Sequence, residues 1–84
     1  MQRLQTIHAV GIVGDSCAVY CYGDEKQACD AFDFAAQFGA MAGDTVSLFA
    51  FCAPIHADPE QCKAQALRQL LLGAIHPIKV RAAE

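Results

Sequence analysis

Positive charge is scarce in this 84-residue chain: six Lys and Arg stand against nine Asp and Glu, a formal net charge of −3. Nothing here would concentrate a phosphate backbone around the protein, so direct nucleic-acid binding is not expected. Long apolar runs are missing too. None approaches the roughly 18 residues needed to cross a bilayer, which excludes a membrane span, and no membrane partner is expected. No positively charged start leads into an apolar signal segment, and the cysteine count of five is odd. Both features point to a reducing interior, read as the cytoplasm, rather than to a disulfide framework. Paired Cys-x-x-Cys and His-x-x-x-His spacings are absent, so no closed tetrahedral metal shell is expected. No motif names a reaction, and no cofactor is expected. No linker, internal repeat or low-complexity tract divides the chain, which reads as one domain over 1–84.

Charge of either sign is thin, at 18% against 55% apolar residues. That balance is too hydrophobic for disorder and lean for a solitary small surface. A core of this size buries only about 60–65% of what the unfolded chain exposes. Self-association, as a homodimer, is therefore expected.

The run from Thr45 to Ala53, opened by Gly43-Asp44 and closed by Pro54, carries apolar groups on both alternating faces. A strand of that kind needs two covers. Leu4 to Val13 and Cys17 to Tyr22 flank Gly14-Asp15-Ser16 and read as a β-hairpin. A two-residue Gly14-Asp15 turn would place Ile12 opposite Cys17, Val10 opposite Val19 and His8 opposite Cys21. Ala9, Gly11, Ala18, Tyr20 and Tyr22 would then share the other face.

Asp24-Glu-Lys-Gln27 has capping-box spacing and starts a helix of about 18 residues that Gly43 stops in a left-handed conformation. At about 100° per residue, Lys26, Asp30, Asp33 and Gln37 form its wet stripe. Ala28, Ala31, Phe32, Ala35, Gly39 and Ala42 lie opposite, and Phe34 and Met41 fall on the flank. Asp58-Pro59-Glu60-Gln61 starts a second helix, ended by Gly73, with Cys62, Ala66, Leu67 and Leu70 inward and Gln61, Gln65 and Arg68 outward. After His76-Pro77, a turn signal, Ile78, Val80 and Ala82 alternate with Lys79 and Arg81 as an edge strand guarded by charge.

The fold class that follows is α+β: a two-layer sandwich in the order ββαβαβ, with a mixed four-stranded sheet and both helices on one face, as right-handed crossovers would require. The layout resembles compact ferredoxin-like modules, except that its opening hairpin departs from their βαββαβ order. Val46, Leu48, Ala50 and Cys52 would face the helices. Thr45, Ser47, Phe49 and Phe51 would face outward, joined by Tyr20 and Tyr22.

Those four rings are candidate partner anchors, since rigid aromatics bury much area at little entropic cost. Used as a stacking platform for single-stranded RNA they would need basic neighbours, which are missing. Asp30 and Asp33, with Asp24, Glu25 and Asp44 nearby, give the first helix a negative face, and Phe34 and Met41 border it as apolar anchors beside a polar rim. Cys52-x-x-x-His56 with Cys62, or His8 across from Cys21, would be fragments of a metal site. Cys17, Cys21, Cys29, Cys52 and Cys62 read more simply as small buried hydrophobes. Cys52, His56 and Asp58 could form a nucleophile cluster, although Asp58 already serves as a helix cap.

The reading is a small non-enzymatic module that binds a protein partner and acts as an inhibitor or regulatory subunit by occupying its surface. Compact virus-encoded inhibitors of host machinery share these coarse properties. The alternatives are a homodimeric small-ligand module whose outer sheet faces meet, and a cysteine-dependent enzyme using Cys52.

Overall fold

Ile, Val, Phe and Cys at alternating positions build a four-stranded sheet from β1 (Leu4–Val13), β2 (Cys17–Tyr22), β3 (Thr45–Pro54) and β4 (Lys79–Arg81). Two helices accompany it: α1 (Glu25–Phe34), which continues as a π-helical turn over Ala35–Gly39, and α2 (Pro59–Leu71). The computed structural model describes residues 3–82, so the outermost ends of the expected 1–84 domain lie outside the described residues. The α+β class, the element order and the sheet with two helices are as expected.

The sheet runs β2-β1-β3-β4 and every neighbouring pair is antiparallel, not mixed. β2 and β3 run the same way, but β1 lies between them and α1 spans the crossover. α2 brings the chain back along β3 until Leu70 sits against Gly11, level with Ser47. The chain then enters β4 opposite Leu48 and runs toward Val46, antiparallel to β3.

The helices also take opposite faces, where one shared face was expected. Ala28, Phe32 and Ala35 of α1 and its π turn pack on Val10, Val46 and Leu48, the even-numbered face. Cys62 and Ala66 of α2 pack on Ile7, Ala9, Val19, Phe49 and Phe51, the odd-numbered face. The right-handed crossover rule governs parallel connections. It constrains α1 but not α2, whose flanking strands are antiparallel, and α2 settles on the apolar face that α1 leaves bare.

The hairpin closes through three residues, Gly14 to Ser16, with Val13 opposite Cys17 and Gly14 N–H donating to Ser16 O at 3.0 Å. That is one residue longer than the expected turn, and a one-residue slip exchanges the faces of a whole strand. Tyr20 therefore pairs with Val10 and Tyr22 with His8, on the α1 side, while Val19 and Cys21 join Gly11 and Ala9 on the α2 side. His8 does not face Cys21.

Both helices start as their caps dictate. Asp24 accepts from Lys26 N–H. At α2 the reciprocal box is complete: Gln61 N–H donates to the Asp58 carboxylate at 2.8 Å and the Gln61 side chain accepts from Asp58 N–H at 3.0 Å, with Pro59 in the first turn. Gly73, at φ +70°, ends α2. Gly43 plays no such part. The first helical segment finishes at Gly39, Ala40 is already extended, and Gly39 and Ala42 are exposed instead of buried. Gln65 is half-buried rather than wet, donating to Cys52 O at 2.8 Å.

Phe49 is fully enclosed beneath α2. Phe49→Ala should therefore cost about 3–5 kcal/mol, read as a lower urea midpoint with an unchanged slope.

Candidate functional site

Two expected anchors leave the surface at once. Phe49 is 0% and Phe51 7% exposed, tilted toward each other with ring centroids 6.3 Å apart in the α2-side core. The outer-face expectation for them is corrected: α2 covers the face that was assigned to solvent. Ala50 and Cys52, expected under a helix, are exposed on the α1 side beyond the reach of α1.

The remaining candidates gather around α1. Tyr20 is 51%, Phe34 64% and Met41 80% exposed, Asp30 and Asp33 are exposed, and Tyr22 is half-buried. Tyr20, Tyr22 and Phe34 line one groove of about 320 Å³ between the hairpin and α1, with Val10, Ile12 and Ala31 as its floor and wall. Sequence reasoning missed Phe38, which is 74% exposed. Its signal was the four-residue spacing from Phe34, which puts two helical residues on one stripe. The π turn winds more slowly than an α-helix, so residues four apart stack almost directly above one another. The two rings stand 5.6 Å apart, tilted by 52°.

Around these rings the charge is mostly negative. Asp24, Glu25, Asp30 and Asp33 are exposed; Lys26 pairs with Asp30 at 3.2 Å and Lys79 approaches Asp33 at 4.0 Å. Exposed pairs of this kind hold their partners weakly, so both carboxylates remain open to a competing cation. His8 lies beneath this end of the helix, 3.9 Å from Glu25, with a buried Nδ1 that has no hydrogen-bond partner.

Arg81 braces the turn that follows the aromatic end of the segment. From the edge strand its guanidinium reaches over to donate to Ala36 O, Met41 O and Asp44 O at 2.7–2.8 Å. The Asp44 carboxylate in turn accepts from Met41 N–H at 3.0 Å. The charge expected merely to guard the edge thus holds the turn carrying Phe38 and Met41.

The expected metal fragments are divided between the two sides of the sheet. Cys52 is exposed on the α1 side of the sheet whereas Cys62 is buried in α2 on the opposite side, so the two cannot share one shell with His56. Among the described residues no group of three or more His, Cys, Asp or Glu could hold a metal ion. Asp58 is committed to capping α2. All five cysteines are free, and Cys17 and Cys52 are exposed, so the small-hydrophobe account fits only Cys62 and, in part, Cys21 and Cys29.

A second cleft, of about 460 Å³, opens between β2 and the start of α2, lined by Ile7, Cys21, Tyr22, Cys62 and Lys63 among others. Burial raises the Cys21 thiol above its ordinary 9.0, helped by the neighbouring Cys62 and opposed by Lys63. Burial likewise raises the Tyr22 phenol above 10.0, helped by Tyr20 and Cys21. No helix among the described residues is long and apolar enough to cross a membrane.

No protein-family model, curated protein or solved structure matches this chain.

Two outcomes follow from this geometry. Arg81→Met should destabilise the fold by about 2 kcal/mol and accelerate amide exchange over residues 35–44 far more than in β1, and Arg81→Lys, lacking the planar fork, should not restore protection. The folded state holds the protons of Cys21 and Tyr22 more tightly than the unfolded chain does. Their contribution is therefore intact below the ordinary values and lost as pH rises through the raised ones. Urea midpoints should fall on going from neutral pH into that alkaline range, and fall less in Cys21→Ala.

Proposed function

We propose that this chain is a protein-binding module that acts on its partner by occupying a surface, as an inhibitor or regulatory subunit. The observation that carries this reading is the α1 surface: Phe34, which lines an apolar groove, projecting beside Phe38, with Met41 exposed beyond them and exposed carboxylates along the same helix. An apolar centre with a polar rim is the common anatomy of a protein interface. Rigid rings of this kind supply most of the energy in such contacts.

The acidic rim selects a partner with a basic surface and disfavours a second copy of the same face, because like charges brought together repel. The expected dimer through open sheet faces has less apolar sheet to draw on, since each face carries a helix. The β2–α2 cleft favours a small-ligand reading, as its volume falls within the range of ligand pockets. The two readings separate by mutation, because Phe34 lines the α1 groove and not that cleft.

Phe34→Asp should weaken partner capture from lysate of the native cell by about 30-fold or more, the scale of an interface hot spot. The urea midpoint should hardly move, since Phe34 is exposed. Undiminished capture by Phe34→Asp and by Phe38→Asp would place the contact elsewhere.

A further inference from the structure

The groove between α1 and the hairpin is walled mostly by apolar side chains, and its polar atoms are few. The side chains of Val10, Ile12, Ala31, Phe34 and Ala35 offer none, leaving the phenols of Tyr20 and Tyr22 and the backbone of Gly39. An occupant must therefore satisfy its own backbone. Each buried N–H or C=O left without a partner costs about 1–3 kcal/mol.

An extended peptide could escape that cost only by adding to a sheet edge, and the edges of this sheet offer it only short open stretches, at Cys17 of β2 and around Ala50 of β3. Alternation in an antiparallel ladder fixes which peptide groups point outward. Ile78 N–H donates to Leu48 O and Gly14 N–H to Ser16 O, so even-numbered residues of β3 point toward the β4 side and odd-numbered residues of β2 point outward. At the β2 edge, Val19 is only 1% exposed because α2 lies over it. Along β3 beyond β4, Gln65 occupies Cys52 O, Gln5 occupies Pro54 O, and Pro54 has no N–H. β4 itself is three residues long and carries Lys79 and Arg81.

A helix closes its own hydrogen bonds and presents only side chains. We infer that the α1 groove receives an amphipathic helix of another protein, with an apolar stripe seated on Phe34 and Phe38 and a basic flank facing Asp24, Glu25, Asp30 and Asp33. This rests on the protein-binding reading and specifies its partner. A helix is also the geometric match to a lip formed by two rings at helical spacing, since apolar residues three and four apart can straddle them. The basic flank follows from the four exposed carboxylates, whose two lysine partners are held only by exposed pairs. A second copy fits less well: its α1 is acidic, and although Lys63, Arg68 and Leu71 of its α2 are exposed, Cys62 and Ala66 are buried against its own sheet and Leu67 is half-buried there.

The test places a photo-crosslinking benzoylphenylalanine at position 38, where the native ring is exposed. After irradiation in native lysate the crosslinked segment is sequenced, synthesised as a free peptide, and titrated against the intact protein. The expected segment belongs to another protein, gains helical circular dichroism on binding, and carries Lys or Arg beside an apolar i, i+3, i+4 stripe. Glu in place of its basic residues should weaken binding at least about 10-fold, and a central proline about 100-fold. A crosslink to a second copy, to an acidic or extended segment, or to nothing overturns the inference, as does a proline variant that binds undiminished. If Phe34→Asp abolishes capture while the crosslinked segment proves extended, only the helical occupant falls and the contact surface stands. Capture indifferent to Phe34 and Phe38 removes both.

Discussion

A central strand that is apolar on both faces sets the terms for everything else in this molecule. β3 is paired with β1 along its whole length, so neither face can be solvated without exposing a row of Val, Leu and Phe. The chain has two helices with which to meet that demand, and it places one on each face. A single short helix does not span a four-stranded sheet. On the even-numbered face α1 protects Val10, Val46 and Leu48 but leaves Tyr20, Leu4 and Ala50 outside. Covering both faces thinly is the consequence of a small chain serving a doubly apolar strand.

The surface left over is not uniform. Where backbone groups would have invited strand pairing, the chain intervenes: α2 lies over β2, Gln65 and Gln5 cap carbonyls at the far end of β3, and β4 is short and charged. These devices block uncontrolled pairing of edges. No comparable device shields Phe34, Phe38 or Met41. Burying them would have required only a longer hairpin or a lid over the groove. Instead Arg81 crosses from the edge strand to pin the carbonyls of the turn that carries the outer two. A residue that holds an apolar tip in place contributes to surface shape more than to core volume.

Much of this was legible in the sequence. Strand and helix positions followed from alternation, from Asp58-Pro59 and from Gly73, because those signals act within a few residues of themselves. The exposure of Phe34 was readable from helical phase, whereas Met41 is exposed in the turn beyond the helix, which that phase does not describe. What failed were features set by long-range geometry. Whether a hairpin turn holds two residues or three depends on strand twist, and that single residue moved Tyr20 and Tyr22 to the other side of the sheet. The face taken by α2 could not be read from its own pattern, because β3 looks the same from above and below. Phe38 was hidden by the assumption of uniform α-helical winding. The stop at Gly39 was missed in part because Arg81, which braces the turn after it, lies in β4 at the far end of the chain.

If the α1 surface binds a partner as proposed, its rings and its carboxylates would make different contributions to the contact. Desolvated aromatic area slows dissociation but is indifferent to the sign of a partner's charge. Carboxylates speed encounter with a basic surface and penalise an acidic one, but add little once exposed. With only rings, the surface would aggregate with its own copies. With only acids, it would bind basic proteins weakly and without register. Asp30 lies one turn before Phe34 and is already paired with Lys26, so an incoming cation competes with a weak internal pair and not with water alone. That competition lowers the gain from any single charge. On the proposed protein-binding role, a partner would have to supply several charges and an apolar stripe at matching spacing, and a single basic side chain would not suffice.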